Sequence, residues 1–191
     1  MSNEITINKK TLKKIGYISI ALLIILLIYF LGGEDKVVEN RTAVFNTTMG
    51  TFKIELFEDT MPLTTKNFIG LVEKGTYNGV IFHRVIEGFM IQGGDPTGTG
   101  RGDPSIPTIK DEFTDNNKNN KGTISMANRG PDTGSSQFFI NLVDNNNLDP
   151  KHPVFGKVIE GMDIVEKIGK VKTDAKDKPI EDIVINKITL E

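Results

Sequence analysis

The side chains best equipped for chemistry sit in five short stretches of this chain. The first runs from Phe82 through His83 and Arg84 to Ile86, and the second from Gly88 through Phe89, Met90 and Gln92 to Asp95. The third holds Ser125, Met126, Ala127 and Asn128, and the fourth runs from Gly134 through Gln137 and Phe139 to Ile140. The fifth runs from Leu148 through Asp149, Pro150 and His152 to Val158. One guanidinium, three side-chain amides and two imidazoles lie among apolar residues in this set. Cysteine is absent, which removes thiolate nucleophiles, disulfides and Cys-based zinc sites. The two histidines, His83 and His152, are far apart in sequence and form no metal-ligand cluster. A net charge of −2 gives no bulk attraction for nucleic acid.

Other patterns fail on their own chemistry. Gly98-Thr99-Gly100-Arg101-Gly102 lacks the Lys-Ser/Thr of a phosphate loop. The run Asp115 to Gly122 lacks the sixth-position glycine and distal glutamate of a calcium-binding loop. Arg101-Gly102-Asp103 reads as a chance triplet in a loop.

Taken alone, Arg84 reads as a surface cation, His152 as a loop histidine, His83 as structural, and Phe89-Met90 as core. In their order the five stretches resemble the cyclophilin signature, over Thr42 to Glu191. The segment around Ile106 to Phe113 is similar to prokaryotic members of that family, and a membrane-anchored prokaryotic form is expected. The resemblance implies a mainly β fold, a closed eight-stranded antiparallel barrel capped by two α-helices. It also implies a substrate site on the outside of the barrel, and peptidyl-prolyl cis/trans isomerase activity. The matching catalytic positions are Arg84, Gln92, Asn128 and His152. The matching substrate-binding positions are Phe89, Met90, Ala127, Gln137, Phe139 and Leu148. Asn147 stands where many members carry Trp, so weak sensitivity to cyclosporin-type ligands is expected. Pro150 and Ser135 also depart from commoner choices.

The implied chemistry is rotation about an X–Pro bond, against a barrier of about 18–20 kcal/mol. No bond breaks, so no nucleophile, cofactor or metal is expected. Phe89, Met90, Phe139 and Leu148 would hold the proline ring. Arg84, a cation with five donors, would hydrogen-bond the twisted amide. Gln92 would orient Arg84, the Asn128 backbone would grip the peptide, and His152 would contact the carbonyl side. The expected partner is a proline-containing polypeptide, and a monomer is expected. The competing reading is a non-catalytic module that docks proline-containing peptides on the same fold.

Several elements must position these residues. Ala43 to Thr47 reads as a strand, Thr48-Met49-Gly50 as a turn, and the alternation of Phe52, Ile54 and Leu56 with Lys53 and Glu55 as a half-buried second strand. Thr60 is the expected cap of a helix that has Pro62 in its first turn and ends at Gly75. Apolar runs at Val80–Ile86, Phe89–Ile91, Thr123–Met126, Phe138–Leu142 and Val154–Ile159 read as short strands. Met162 to Ile168 reads as a second helix, and Ile183 to Leu190 as the last strand.

The amino terminus differs in character. Ile15 to Leu31 carries no charged residue and follows Lys9, Lys10, Lys13 and Lys14. Its length lies at the short end of the roughly 17–25 residues that span a bilayer. A cut after Gly33 or Gly32 would place Leu31 or Phe30 three residues upstream, so an uncleaved transmembrane helix is expected rather than a signal peptide. The lysines predict an internal amino terminus. The expected division is a basic cytoplasmic terminus at 1–14, an anchor at 15–31, a linker at 32–41 and an isomerase domain at 42–191. The chain is then a single-pass cell-membrane protein with an extracytoplasmic catalytic domain that assists exported proteins. Asn-x-Thr triplets begin at Asn40 and Asn46.

Overall fold

Alternating burial sets up the first hairpin. Phe52, Ile54 and Leu56 point inward from β2 (Gly50–Leu56), and Ala43 and Phe45 do the same from β1 (Thr42–Thr47). The two strands pair antiparallel from Thr42↔Glu55 to Thr47↔Gly50. The computed structural model describes residue 8, residues 13–14 and 17–23, and residues 39–191. Contacts divide the chain into two units, Met1–Val37 and Val38–Glu191.

In the first unit, residues 17–23 are helical. Positions 15, 16 and 24–31 of the expected anchor lie outside the described residues, as do most of the expected basic terminus and linker. Among the described residues no helix is long and apolar enough to cross a membrane. The expected transmembrane helix is not found among the described residues.

In the second unit α1 (Pro62–Glu73) follows the hairpin, and then come β3 (Val80–Ile81), β4 (Arg84–Ile86), β5 (Met90–Gly93), β6 (Thr123–Met126) and β7 (Phe138–Asn141). A 3-10 turn (Asn146–Leu148), β8 (Val154–Glu160), α2 (Met162–Ile168) and β9 (Val184–Leu190) complete it. The sheet order is β3-β9-β1-β2-β8-β6-β7-β5-β4.

This is a mainly β architecture with two helices, but its ladder is open and has nine strands, where a closed eight-stranded barrel was expected. The run Val80–Ile86 shows why. It breaks at Phe82-His83, where the Phe82 N–H donates to Ile183 O at 3.0 Å and the fully buried Phe82 ring turns into the core. The halves then pair with different partners, β3 with β9 and β4 with β5, and become the two edges of the sheet.

Helix α1 has Met61, not Thr60, at its N-cap position, with no capping bond from that side chain. The cap comes from a distant loop: Leu63 N, Thr64 N and Thr64 Oγ1 donate to the Glu112 carboxylate at 3.2, 2.9 and 3.1 Å. A carboxylate there satisfies orphan N–H groups and suits the positive end of the helix dipole. Phe68, Ile69, Leu71 and Val72 face the core, and Gly75 leaves the helix at φ +70°. The core is aromatic: the Phe45 and Phe52 rings stack at 4.7 Å, and Phe138 meets Phe68 edge-on at 5.9 Å. Each buried ring of this kind contributes about 1.5–3 kcal/mol.

Candidate active site

Strand register converts separated motifs into one surface. Arg84 pairs with Gln92 across β4 and β5, and Gln92 pairs with Phe139 across β5 and β7. Directly paired residues share a face of the sheet, and so do residues two apart on one strand. Arg84, Gln92, Met90 and Phe139 therefore lie on one face. Val85, Ile91 and Ile140 alternate to the other, where they are buried in the core. The face that carries the guanidinium is the one turned away from the core.

Loops complete the wall. His152 Nδ1 lies 3.1 Å from Met126 O, and the imidazole meets the Phe139 ring edge-on. The Asn128 side-chain amide donates to Lys151 O at 2.7 Å and ties the end of β6 to the His152 loop. Leu148 ends the 3-10 turn, and its carbonyl accepts from His152 N at 3.0 Å. Phe89 precedes β5, with its carbonyl held by the Asn145 side-chain amide at 2.9 Å.

Nine of the ten expected residues line one groove of about 340 Å³: Arg84, Phe89, Met90, Gln92, Ala127, Asn128, Phe139, Leu148 and His152. Gln137 lines an adjoining cavity of about 530 Å³, which shares Gln92, Ala127 and Asn128 with the groove. The expectation that Gln92 orients Arg84 meets a different geometry. The Gln92 amide donates to Gln137 Oε1 at 3.0 Å, and Gln137 Nε2 donates to Gly100 O at 3.2 Å. Arg84 Nε instead donates to Asp177 Oδ2 at 3.4 Å.

Beneath the groove lies a polar brace that motif reading missed. The buried Asn119 accepts from Ser125 Oγ at 2.7 Å and donates from its amide to His152 O at 3.2 Å. Its backbone N–H donates to Asp149 Oδ1 at 2.7 Å. Asn117 Nδ2 donates to Asp149 O and His152 O at 2.7 and 3.1 Å. Asn145 Nδ2 donates to Asn141 Oδ1 at 2.8 Å. The sequence signals were two asparagine-rich runs, at 116–120 and 145–147, which resemble ordinary loop composition.

Two titratable groups flank Arg84's strand. Burial pushes the His83 imidazole down, opposed by the Asp95 charge and reinforced by the Arg84 charge. Its Nδ1 is buried with no hydrogen-bond partner among the described residues. Burial pushes Asp95 up, but donors from Gly102, Thr97 and Gly100 outweigh that and hold its carboxyl below the usual range. Asp95 thereby fastens the loop that borders the adjoining cavity. Gly94 makes the approach possible: at φ +80°, a Cβ there would stand 2.5 Å from Ser136 O.

The family model described as "Cyclophilin type peptidyl-prolyl cis-trans isomerase/CLD" matches residues 42–190. The chain belongs to the cyclophilin-type peptidyl-prolyl cis-trans isomerase family. Its activity is that of this family, peptidyl-prolyl cis-trans isomerisation. The cyclophilin region is 48% identical over 145 residues to a peptidyl-prolyl cis-trans isomerase-like 1 of Aspergillus fumigatus, covering 74% of this chain and 90% of that protein. It is 45% identical over 152 residues to a peptidyl-prolyl cis-trans isomerase-like 3 of Dictyostelium discoideum, covering 78% and 94%. A crystal structure of a Cryptosporidium parvum cyclophilin-type isomerase superposes with a TM-score of 0.77 at 36% identity, covering 80% of this chain and 98% of that one. The same protein in the presence of the dipeptide Ala-Pro superposes with a TM-score of 0.75 at 37% identity.

These relatives are eukaryotic cyclophilins, which does not support the expected prokaryotic, membrane-anchored form. Together with the lack of a membrane-crossing helix among the described residues, they overturn the expected single-pass, extracytoplasmic placement. The reason for assigning exported clients falls with it.

Proposed function

We propose that this cyclophilin isomerises X–Pro bonds in the groove on the outer face of its sheet, with Arg84 as the group that lowers the barrier. Uncatalysed exchange takes roughly tens to hundreds of seconds. Reaching milliseconds requires about 10⁵-fold, or about 7 kcal/mol. Catalysis of this kind is differential binding: the twisted amide must be held more tightly than either planar isomer.

The proline ring rests on Phe89, Met90, Phe139 and Leu148. As the bond twists, resonance is lost and the prolyl nitrogen gains lone-pair character. The Arg84 guanidinium donates there or to the rotating carbonyl oxygen, in a site where apolar neighbours thin out competing water. The Asn128 backbone and Ala127 hold the peptide upstream, His152 contacts its carbonyl side, and the coupled amides of Gln92 and Gln137 offer further hydrogen bonds. The observation that carries this reading is the cross-strand row Arg84, Gln92, Phe139, which sets a cation and an apolar floor on one face.

The test separates turnover from binding in the full chain. In Arg84→Ala, Ala-Pro peptide affinity should stay within about threefold while exchange falls roughly 10²-fold, the usual cost of losing a transition-state donor. Unchanged exchange would remove the role given to Arg84.

A further inference from the structure

We infer that Asp177 is a positioning residue for isomerisation: it fixes the plane in which Arg84 presents its donors to the groove. The inference rests on the role proposed for Arg84.

Asp177 lies 93 positions from Arg84 in sequence, in a turn preceding β9. That turn is tightly knit. Asp174 Oδ1 accepts from Lys176 N and Lys178 N at 2.8 and 3.0 Å, Asp174 N donates to Lys178 O at 2.8 Å, and Thr173 bridges Pro179. Asp177 sits in it at φ +64°, a region that Asp and Asn enter more readily than most side chains. Its carbonyl accepts from Val85 N at 2.8 Å, pinning the turn to β4 at the residue next to Arg84. Its carboxylate meets Arg84 Nε at 3.4 Å.

The backbone bond and the side-chain contact thus converge on adjacent residues of one strand. Holding Nε constrains the whole guanidinium, because its donors form a rigid planar fork. The direction in which Arg84, a residue of the groove lining, presents its remaining donors is then set by a turn that none of the five motifs contains. Both side chains are 43% exposed, so the contact adds little to stability. Its value lies in orientation, which a twisted amide rewards and a planar one does not.

The test uses Asp177→Gly, which suits the positive φ but removes the carboxylate, and Asp177→Asn, which keeps an acceptor oxygen and tolerates that φ. Rates of cis/trans exchange on an Ala-Pro peptide are measured in the full chain, alone and combined with Arg84→Ala. Asp177→Gly should lower kcat about threefold with KM held within about twofold, in line with the modest strength of an exposed pair. Asp177→Asn should recover most of the loss, and Asp177→Gly should add nothing to Arg84→Ala. A full-rate Asp177→Gly beside an impaired Arg84→Ala would overturn the inference alone. So would an equal loss in both backgrounds, which would mark a loop effect independent of the guanidinium. An Arg84→Ala protein as fast as the parent would overturn the inference together with the role of Arg84.

Discussion

The imidazole of His152 stands edge-on to the Phe139 ring, with centroids 5.3 Å apart and planes at 84°. This contact joins a loop residue to the floor of the groove, so removing the ring acts twice. Phe139→Ala should lower kcat/KM for an Ala-Pro peptide about tenfold, mostly through KM, because it deletes apolar area that binds both isomers. Phe139→Leu should recover part of that. Steady-state kinetics on the three proteins checks it, and an unchanged KM would place the proline ring elsewhere.

The asparagine brace predicts coupled losses. Asn119 is fully buried and bonds to Ser125, Asp149 and His152. Asn119→Ala leaves the Ser125 hydroxyl without its acceptor and the His152 carbonyl with Asn117 as its remaining side-chain donor, which costs about 1–3 kcal/mol. Urea unfolding should show that shift in midpoint. Turnover should fall as well, since Leu148 and His152 are carried on the loosened loop. Full activity at reduced stability would mean that the brace supports the fold but not the groove.

Legibility in the sequence varied with how local each cause was. Helix α2 and strand β6 appear at their expected positions because their patterns are short-range. The break between β3 and β4 was invisible, since Phe82-His83 interrupts no apolar pattern and the break is made by a tertiary bond to Ile183. The α1 cap was misplaced for the same reason: Glu112 is far away in sequence. The ten expected positions lie in recognisable motifs, but the meeting of nine of them in one groove depends on register across β4, β5 and β7 and on the loops that carry Ala127, Asn128, Leu148 and His152. Asp177 and the asparagines carry no motif, and only three-dimensional proximity reveals them.

Burial of His83 gives a pH dependence of stability. Its pKa is pushed down in the fold, so the unfolded chain takes up the proton first as pH falls. The fold therefore keeps full stability above the ordinary histidine value of about 6.5 and loses it below. His83→Gln should flatten the decline of Tm between about pH 7.5 and pH 5.5. Parallel declines in both proteins would assign the effect to other groups.

Asn147 lies exposed in the 3-10 turn beside Leu148, outside the residues that line the groove. An indole there would extend the apolar wall next to Leu148. Asn147→Trp should raise affinity for a cyclosporin-type ligand about tenfold, or about 1.4 kcal/mol, by calorimetry. Proline-peptide turnover should change by less than about twofold. Tight binding by the unsubstituted chain would refute the expectation of weak sensitivity.

The cationic role of Arg84 is reached most directly by exchange spectroscopy on a proline peptide saturating the full chain, with and without Arg84→Ala. Saturation removes binding from the comparison, so the rate reports the bound rotation alone. A fall of roughly 10²-fold in the substituted protein is the expected result. Equal rates under saturation would contradict it and leave the groove a docking surface whose arginine does not ease the twist.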